Sequence, residues 1–263
     1  MDDSLDPESI LVSTVAGAVV VAAVAPMLAE PHVSSGQVSQ QLAGHRVAIV
    51  EDHGDWLLVR GCDEYEGWMH RGYLSRESPL DESADRISLG CLVRAVDGRT
   101  RSLPLRALLA PTDRVEDGEA ITSELLRRRF PTNAAAICRS AVELYVGTSY
   151  QWGGVTPWGA DCSGLVQSVF ALHGVQLPRD AWQQARVGRD AGADILATKS
   201  ADLLFFSDRQ DGHVTHVAIA LGEQRIVHLA LGRGGYAVEQ LDGERDEYVA
   251  KLRARFLFAR SVL

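Results

Sequence analysis

The amino-acid sequence predicts an α+β protein with more than one domain. Its 263 residues exceed an average single domain and are enough to bury a sizeable core. Two observations indicate the fold class. Short β-strand patterns separated by turn residues fill the first part of the chain, whereas helical patterns and a β-hairpin share the second part. We therefore expect small all-β units followed by a mixed domain.

An apolar run near the start of the chain, residues 10–29, contains twenty residues and no charge. This length suffices to cross a bilayer, so export or anchoring remains an alternative. However, four acidic residues and no Lys or Arg precede the run, opposite to the basic start of a signal peptide. Pro26 also interrupts the run near its end. We expect a buried strand, no membrane partner and a cytoplasmic location.

Short strands and turns follow this run. Residues 47–50 and 55–60 are predicted strands around His53-Gly54, and residues 67–69 and 73–74 form the next strand and its end. A second, shorter β unit is predicted over residues 87–110, with Asp97-Gly98 as its hairpin turn.

A linker and two helices are expected next. Residues 111–118 are the predicted linker, and residues 119–129 and 133–145 are predicted helices separated by Pro131. Three units are predicted. They are a β unit over residues 1–77, a second, shorter β unit with the linker over residues 78–117, and a mixed domain over residues 118–263.

A thiol stands where a glycine-rich loop becomes a helix. The loop Tyr150-Gln151-Trp152-Gly153-Gly154 precedes Asp161-Cys162-Ser163-Gly164, and apolar residues then recur at helical spacing up to Gly174. Asp161 is a plausible N-cap, which places Cys162 in the first turn. There the free N–H groups and the helix dipole favour a thiolate. A small buried cysteine under a helix start is the alternative reading.

A predicted hairpin supplies two histidines. Residues 213–221 and 225–231 are the strands, and residues 222–224 form the turn. We expect His216 directly opposite His228, and a register shift of two residues would still leave both on one face. Two facing imidazoles and a thiol at a helix start favour nucleophilic catalysis over structural roles.

These parts predict acyl transfer through a thioester. Cys162 attacks a carbonyl, His216 takes and returns the proton, and His228 orients the His216 ring. The backbone N–H of Cys162, with Tyr150 nearby, is the expected oxyanion site. No cofactor is expected. A zinc site at His213, His216 and His228 is the rival, but it lacks suitable spacing and further ligands.

Charge and cysteine use narrow the possible partners. The net charge of −9 argues against a nucleic-acid partner, because a phosphate-binding surface needs positive charge. Four scattered cysteines, one of them required as a free thiol, do not suit a disulfide framework.

The motifs of residues 119–263 resemble those of the NlpC-type cysteine peptidases of bacterial cell-wall peptides, which have a papain-like fold. The matching segments, in the family's order, are YQWGG, DCSGLVQSVF, LPRD, DLLFF, HVTHVAIALG and IVHL. The resemblance implies that Cys162 is the nucleophile, His216 the base and His228 the third member, with Tyr150 lining the site. Ser200-Ala201 departs from the Pro-Gly that the family usually has before the DLLFF strand.

Residues 25–75 resemble a bacterial SH3-like barrel, with VAPM as its first strand. Such barrels before an NlpC-type domain resemble the dipeptidyl-peptidase VI type of γ-D-glutamyl-L-diamino-acid endopeptidase. That branch cuts the bond between D-Glu and the diamino acid in murein peptides with a free N-terminal L-Ala. The resemblance implies that Asp161 and Ser163 bind the substrate amine and that Tyr65 closes the pocket. An ordinary aromatic side chain on the barrel surface is the alternative for Tyr65. Arg179 and Asp180 are expected to bind a substrate carboxylate or amine, or to cap a turn.

Three functions follow from these patterns. The leading one is a peptidase of released murein peptides, whose substrate is L-Ala-γ-D-Glu-diamino acid. The second is an exported peptidoglycan hydrolase with wall-binding barrels. The third, a non-catalytic wall-binding protein, is disfavoured by the intact Cys162, His216 and His228 set.

Overall fold

A computed structural model describes residues 17–76, 85–242 and 246–263. The predicted boundary between residues 77 and 78, and residues 10–16 of the apolar run, lie outside the described residues. The described chain forms an N-terminal β unit, a three-stranded β unit and a mixed C-terminal domain. This order agrees with the predicted α+β class.

The N-terminal unit is a seven-stranded antiparallel sheet with the order β3-β2-β6-β5-β4-β1-β7. Its strands are β1 (Gly17–Val20), β2 (Val24–Leu28), β3 (Gln37–Leu42), β4 (Arg46–His53), β5 (Trp56–Arg60), β6 (Glu66–His70) and β7 (Leu74–Ser75). Alternate side chains of these strands, including Met27, Val59 and Met69, are fully buried in one apolar core. The side chains of β5 and β6 thus alternate between deeply buried and partly exposed positions, as the two-residue period of a strand requires.

The apolar run folds differently from the single strand we expected. It supplies two strands, because the chain bends at residues 21–23 between β1 and β2. The segment VAPM is thus the second described strand, and β1 precedes it. Among the described residues, no helix is long and apolar enough to span a membrane.

The second unit contains β8 (Arg86–Arg94), β9 (Thr100–Leu103) and β10 (Arg114–Thr122), with β8 in the centre. The turn between β8 and β9 contains Asp97-Gly98, as predicted, and Gly98 has a positive φ of 81°. The predicted linker over residues 111–118 is wrong, because most of it pairs with β8 as β10. The segment has a strongly polar sequence because its first six residues face solvent.

The C-terminal domain packs helices against a six-stranded sheet with the order β13-β18-β14-β15-β16-β17. Its helices are α1 (Ser123–Arg129), α2 (Ala134–Glu143), α3 (Cys162–Leu172), α4 (Ala181–Gln184) and α5 (Glu247–Ala254). Its strands are β11 (Val155–Thr156), β12 (Gly159–Ala160), β13 (Arg189–Gly192), β14 (Leu203–Phe206), β15 (His216–Gly222), β16 (Arg225–Ala230), β17 (Gly235–Gln240) and β18 (Phe256–Ser261).

Helix α3 is the central element of this domain. Its first nine residues are all buried, and the polar side chains among them form hydrogen bonds within the protein. Helix α1 begins at Ser123 with Thr122 as N-cap, later than predicted, because β10 continues to Thr122. Helix α2 begins after the N-cap Asn133, as predicted.

Strand β3 joins the N-terminal sheet to the C-terminal domain. The Gln37 side chain donates to the Trp152 carbonyl at 2.9 Å, and the Gln40 side chain accepts from the Val155 N–H at 3.1 Å. Gly153 lies so close to Gln37 that a Cβ at this position would be 2.9 Å from its side chain. The edge strand of the β unit therefore lies directly against the loop that precedes Cys162.

Candidate active site

Cys162 occupies the first turn of α3. The Asp161 side chain accepts from the Gly164 N–H at 2.7 Å and so caps the helix, as predicted. The thiol is largely buried, and burial together with the adjacent Asp161 carboxylate raises the pKa of Cys162 to about 12. The expected thiolate is therefore wrong for the resting protein. Backbone N–H groups of Val217 and Ser163 favour the thiolate but do not outweigh burial.

His216 and His228 meet on one face of the β15–β16 hairpin. His216 Nε2 lies 2.8 Å from His228 Nδ1, and the ring centroids are 5.0 Å apart. The register differs from the direct pairing we expected, because Ile219 faces Val227. The turn consists of Glu223 and Gln224, both with positive φ, and an irregularity between Ala220 and Gly222 shifts the strands. Both rings stay on one face because the shift is two residues.

Burial favours the neutral form of both the Cys162 thiol and the His216 imidazole. Burial, the neighbouring His228 and Arg255 hold the pKa of His216 well below its usual value. Since Nε2 of His216 is engaged by His228, its Nδ1 is the atom left to take a proton from Cys162. The arrangement fits general-base activation of the thiol as it attacks.

We expect alkylation of Cys162 by iodoacetamide to persist in mildly acidic solution. Because the pKa of His216 is lowered, the imidazole stays unprotonated and able to act as a base as the pH falls through 6.5. The acid limb of the rate should therefore lie below pH 6.5, which peptide mapping of labelled Cys162 from about pH 4 to about pH 8 would show. An acid limb at or above pH 6.5 would contradict a buried neutral base.

Cys162 and His216 line a cavity of about 730 Å³ that lies between the C-terminal domain and the N-terminal β unit. The N-terminal unit contributes Val38 and Tyr65 to its wall. The sequence predicts seven site residues outside the hairpin. Six of them line this cavity: Tyr65, Tyr150, Asp161, Cys162, Ser163 and Asp180. Burial raises the pKa of Tyr150, so its phenol remains a proton donor. His216 lines the cavity, and His228 stands fully buried behind it.

Arg179 is the exception, and it changes the expected role of Asp161. The guanidinium is 1% exposed and binds both carboxylate oxygens of Asp161, at 3.0 and 2.7 Å. It also donates to Ser163 Oγ at 2.9 Å and to Ser39 Oγ at 3.2 Å. Asp161 and Ser163 are thus already bonded within the protein, which argues against their expected role as the amine-binding pair. Arg179 lies behind the cavity wall and stabilises that wall.

Asp180 is the carboxylate that remains accessible in this part of the cavity. It accepts hydrogen bonds from the Tyr65 hydroxyl at 3.2 Å and from Trp182 Nε1 at 3.2 Å. No cation forms an ion pair with it among the described residues. Burial raises the pKa of Asp180, whereas Arg179 and the two hydrogen bonds act to lower it. Asp180 with Tyr65 therefore presents acceptor oxygens toward a positively charged ligand.

Several residues at the site were not predicted. Trp182 was missed, and so were Glu239 and Arg233, which lie behind His228. Glu239 gave no signal, because in β17 the apolar Val238 is exposed and the acidic Glu239 is buried. In the described ranges, no group of three His, Cys, Asp or Glu side chains is placed to hold a metal ion.

Comparisons with known proteins agree with this geometry. The NlpC/P60 family profile matches residues 147–251, which include Cys162, His216 and His228. A probable endopeptidase of Haemophilus influenzae is 33% identical over 113 residues, which are 43% of this chain and 68% of that protein. The chain belongs to the NlpC/P60 family. It is accordingly a cysteine peptidase.

The N-terminal unit of this NlpC/P60 protein also matches a known domain. The bacterial dipeptidyl-peptidase SH3 domain matches residues 27–74. The γ-D-glutamyl-L-lysine dipeptidyl-peptidase of Bacillus subtilis is 28% identical over 213 residues, 72% of this chain and 71% of that protein. Dipeptidyl-peptidase 6 of Lysinibacillus sphaericus is 28% identical over 264 residues, 88% of this chain and 94% of that protein. The match to dipeptidyl-peptidase 6 is long enough to extend into both the barrel and the peptidase domain.

The fold of this NlpC/P60 protein is also known from solved structures. An NlpC/P60 family protein of Bacillus cereus matches with a TM-score of 0.76 at 19% identity, over 94% of this chain and 99% of that one. This likeness concerns the fold, including the placement of the β units before the peptidase domain.

Proposed function

We propose that this NlpC/P60 protein hydrolyses the bond between γ-D-Glu and the diamino acid in murein peptides that carry a free N-terminal L-Ala. Two relatives that match most of the chain are named γ-D-glutamyl-L-lysine dipeptidyl-peptidase and dipeptidyl-peptidase 6. Their names indicate removal of a dipeptide, which requires recognition of a free amino terminus. The Cys162 and His216 pair supplies the acyl-transfer chemistry.

The hydrogen bond between Tyr65 and Asp180 is the observation that carries this proposal. Tyr65 belongs to the N-terminal barrel and Asp180 to the peptidase domain, so the barrel itself forms part of the cavity wall. A papain-like groove without this wall would be open to longer chains. The carboxylate of Asp180 can bind the ammonium of L-Ala, and the barrel leaves little room for residues before it.

The reaction then follows from the positions of the side chains. As Sγ of Cys162 attacks the γ-carbonyl of D-Glu, its proton passes to Nδ1 of His216. The backbone N–H of Cys162 and the Tyr150 hydroxyl donate to the developing oxyanion. His216 returns the proton to the leaving amine of the diamino acid, and water hydrolyses the thioester.

We expect N-acetylation of L-Ala to lower kcat/KM by about 30-fold or more. The acetylated peptide lacks the ammonium and leaves the half-buried Asp180 carboxylate unpaired, which costs roughly 2–5 kcal/mol. Asp180→Asn should remove most of this preference. The measurement compares kcat/KM for L-Ala-γ-D-Glu-L-Lys and its N-acetyl form, with the diaminopimelate peptide in parallel.

Asp208→Asn is the matched control. Asp208 lines the same cavity but accepts from Thr215 at 2.9 Å, near the other wall. This variant should discriminate against the acetylated peptide as strongly as the unmodified protein. Equal cleavage of free and acetylated peptides, or efficient cleavage of intact sacculi, would refute the dipeptidyl-peptidase proposal and favour a wall hydrolase.

A further inference from the structure

A charged cluster lies behind His228, on the side of the ring away from His216. Glu239 of β17 is 6% exposed, and its Oε1 lies 3.6 Å from Nε2 of His228. Arg233 holds the carboxylate with two hydrogen bonds, of 2.7 and 3.0 Å. Arg233 also bonds Asp246 and stacks 4.3 Å above the Tyr248 ring, which in turn lies beside His228. The cluster thus places the buried carboxylate of Glu239 next to the imidazole of His228.

The Nε2 atom of His228 is buried and has no hydrogen-bonding partner at normal distance. Its nearest charged neighbour is the Glu239 carboxylate, which only accepts hydrogen bonds. An unprotonated Nε2 would direct a lone pair at this negative charge, whereas an N–H would be attracted to it. A small shift of the carboxylate turns the 3.6 Å contact into a direct hydrogen bond. The carboxylate therefore favours the tautomer of His228 with its proton on Nε2.

This tautomer determines what His216 can do. With the proton of His228 on Nε2, its Nδ1 accepts from the Nε2–H of His216 across 2.8 Å. A neutral imidazole carries one proton, so Nδ1 of His216 is then an unprotonated base that can take the Cys162 proton. In the opposite tautomer, His228 donates to Nε2 of His216, and the His216 proton moves to Nδ1. That arrangement has no base for the thiol.

We propose that Glu239 is a positioning residue that selects, through His228, the tautomer in which His216 acts as the catalytic base. The inference deepens the proposed function, because it rests on the Cys162–His216 pair. Glu239 also stabilises the imidazolium of His216 formed when the S–H bond breaks and the N–H bond forms, since its charge reaches that ring through His228.

The charges around the cluster support an ionised Glu239. Burial acts to raise the pKa of Glu239, but the interactions with His228 and Arg233 outweigh it and lower the pKa below its usual value. Arg233 comes from the turn before β17, Asp246 and Tyr248 from the start of α5, and Arg255 faces His216 from beyond α5. The carboxylate shares Arg233 with Asp246, so its charge is only partly neutralised.

The test is Glu239→Gln, which keeps the shape of the side chain and removes its charge. We expect peptide turnover to fall about 10- to 100-fold, the usual cost of losing a partner of a functional imidazole. The acid limb of Cys162 alkylation should move to lower pH, because the His216 imidazolium loses its stabilising charge. Nitrogen-15 NMR of the imidazoles should show His228 partly changing to the Nδ1–H tautomer. Glu239→Asp, which retains the charge, should keep the Nε2–H tautomer and the position of the acid limb.

Glu247→Gln is the matched control, because Glu247 also carries a carboxylate at the start of α5 but is well exposed and pairs with Lys251. This variant removes a charge of the same sign outside the cluster, so it should keep the tautomer, the alkylation profile and the turnover. Unchanged tautomers and an unchanged alkylation profile in Glu239→Gln would overturn the inference, whatever its turnover. Alkylation and NMR need no peptide, so failure of the proposed substrate would be seen separately.

Discussion

Replacing Cys162 with alanine should abolish hydrolysis of L-Ala-γ-D-Glu-L-Lys, with a loss of kcat on the order of 10⁶-fold. The thioester cannot form without Sγ, and no other described nucleophilic thiol lines the cavity. His216→Ala should lose almost as much, because the members of a nucleophile and base unit are not additive. Chromatographic detection of released L-Lys gives the rates.

Cys138→Ala provides the control for loss of a cysteine. Cys138 is a free, partly buried thiol of the same domain, whose Sγ donates to the Ala220 carbonyl at 3.3 Å. This variant should keep its turnover within about twofold, as expected for a substitution that adds only a small stability change. Residual turnover of Cys162→Ala above that of His216→Ala would contradict the thioester mechanism.

Arg179→Met should destabilise the protein by about 3–5 kcal/mol, the usual cost of leaving one member of a buried ion pair unpaired. The Asp161 carboxylate would remain buried beside Cys162 with no counter-ion, and the bond to Ser39 that joins the barrel to this site would be lost. Arg179→Lys should recover only part of the loss, since an ammonium cannot bind both carboxylate oxygens in parallel. Urea unfolding at pH 7 measures the change.

Arg128→Met tests whether the loss of stability expected for Arg179→Met depends on the burial of the ion pair. Arg128 pairs with Glu124 at 2.6 Å, but both side chains are well exposed, so its loss should cost no more than about 1 kcal/mol. A similar small loss for Arg179→Met would mean that the buried pair does not hold the cavity wall together.

Local signals allowed much of the site to be predicted. Asp161 capping α3 and the hairpin around residues 222–224 depend on neighbouring residues and on side-chain periodicity, which a sequence displays directly. The two histidines fell on one face even though the register was shifted, because a shift of two residues preserves the face. The proposed nucleophile and the proposed base were identifiable for this reason.

Interactions between distant segments were not predictable in the same way. Arg179 and Asp180 are adjacent in the chain, yet one is buried against Asp161 and the other faces the cavity. The thiolate expected from the helix start was wrong, because the burial of Cys162 comes from tertiary packing. The first part of β10 falls within the predicted linker, because its polar residues indicate solvent and its pairing with β8 leaves no local pattern.

The most direct test of the account is labelling by a chloromethyl ketone built on L-Ala-γ-D-Glu, with the ketone in place of the scissile amide. We predict one label per chain, located on Cys162 by peptide mapping and blocked by substrate. The N-acetyl reagent should react more slowly by about 30-fold or more, since it cannot pair with Asp180. Equal rates for the two reagents, or a label on Cys62 or Cys138 in place of Cys162, would contradict the proposed nucleophile and its recognition of a free amino terminus.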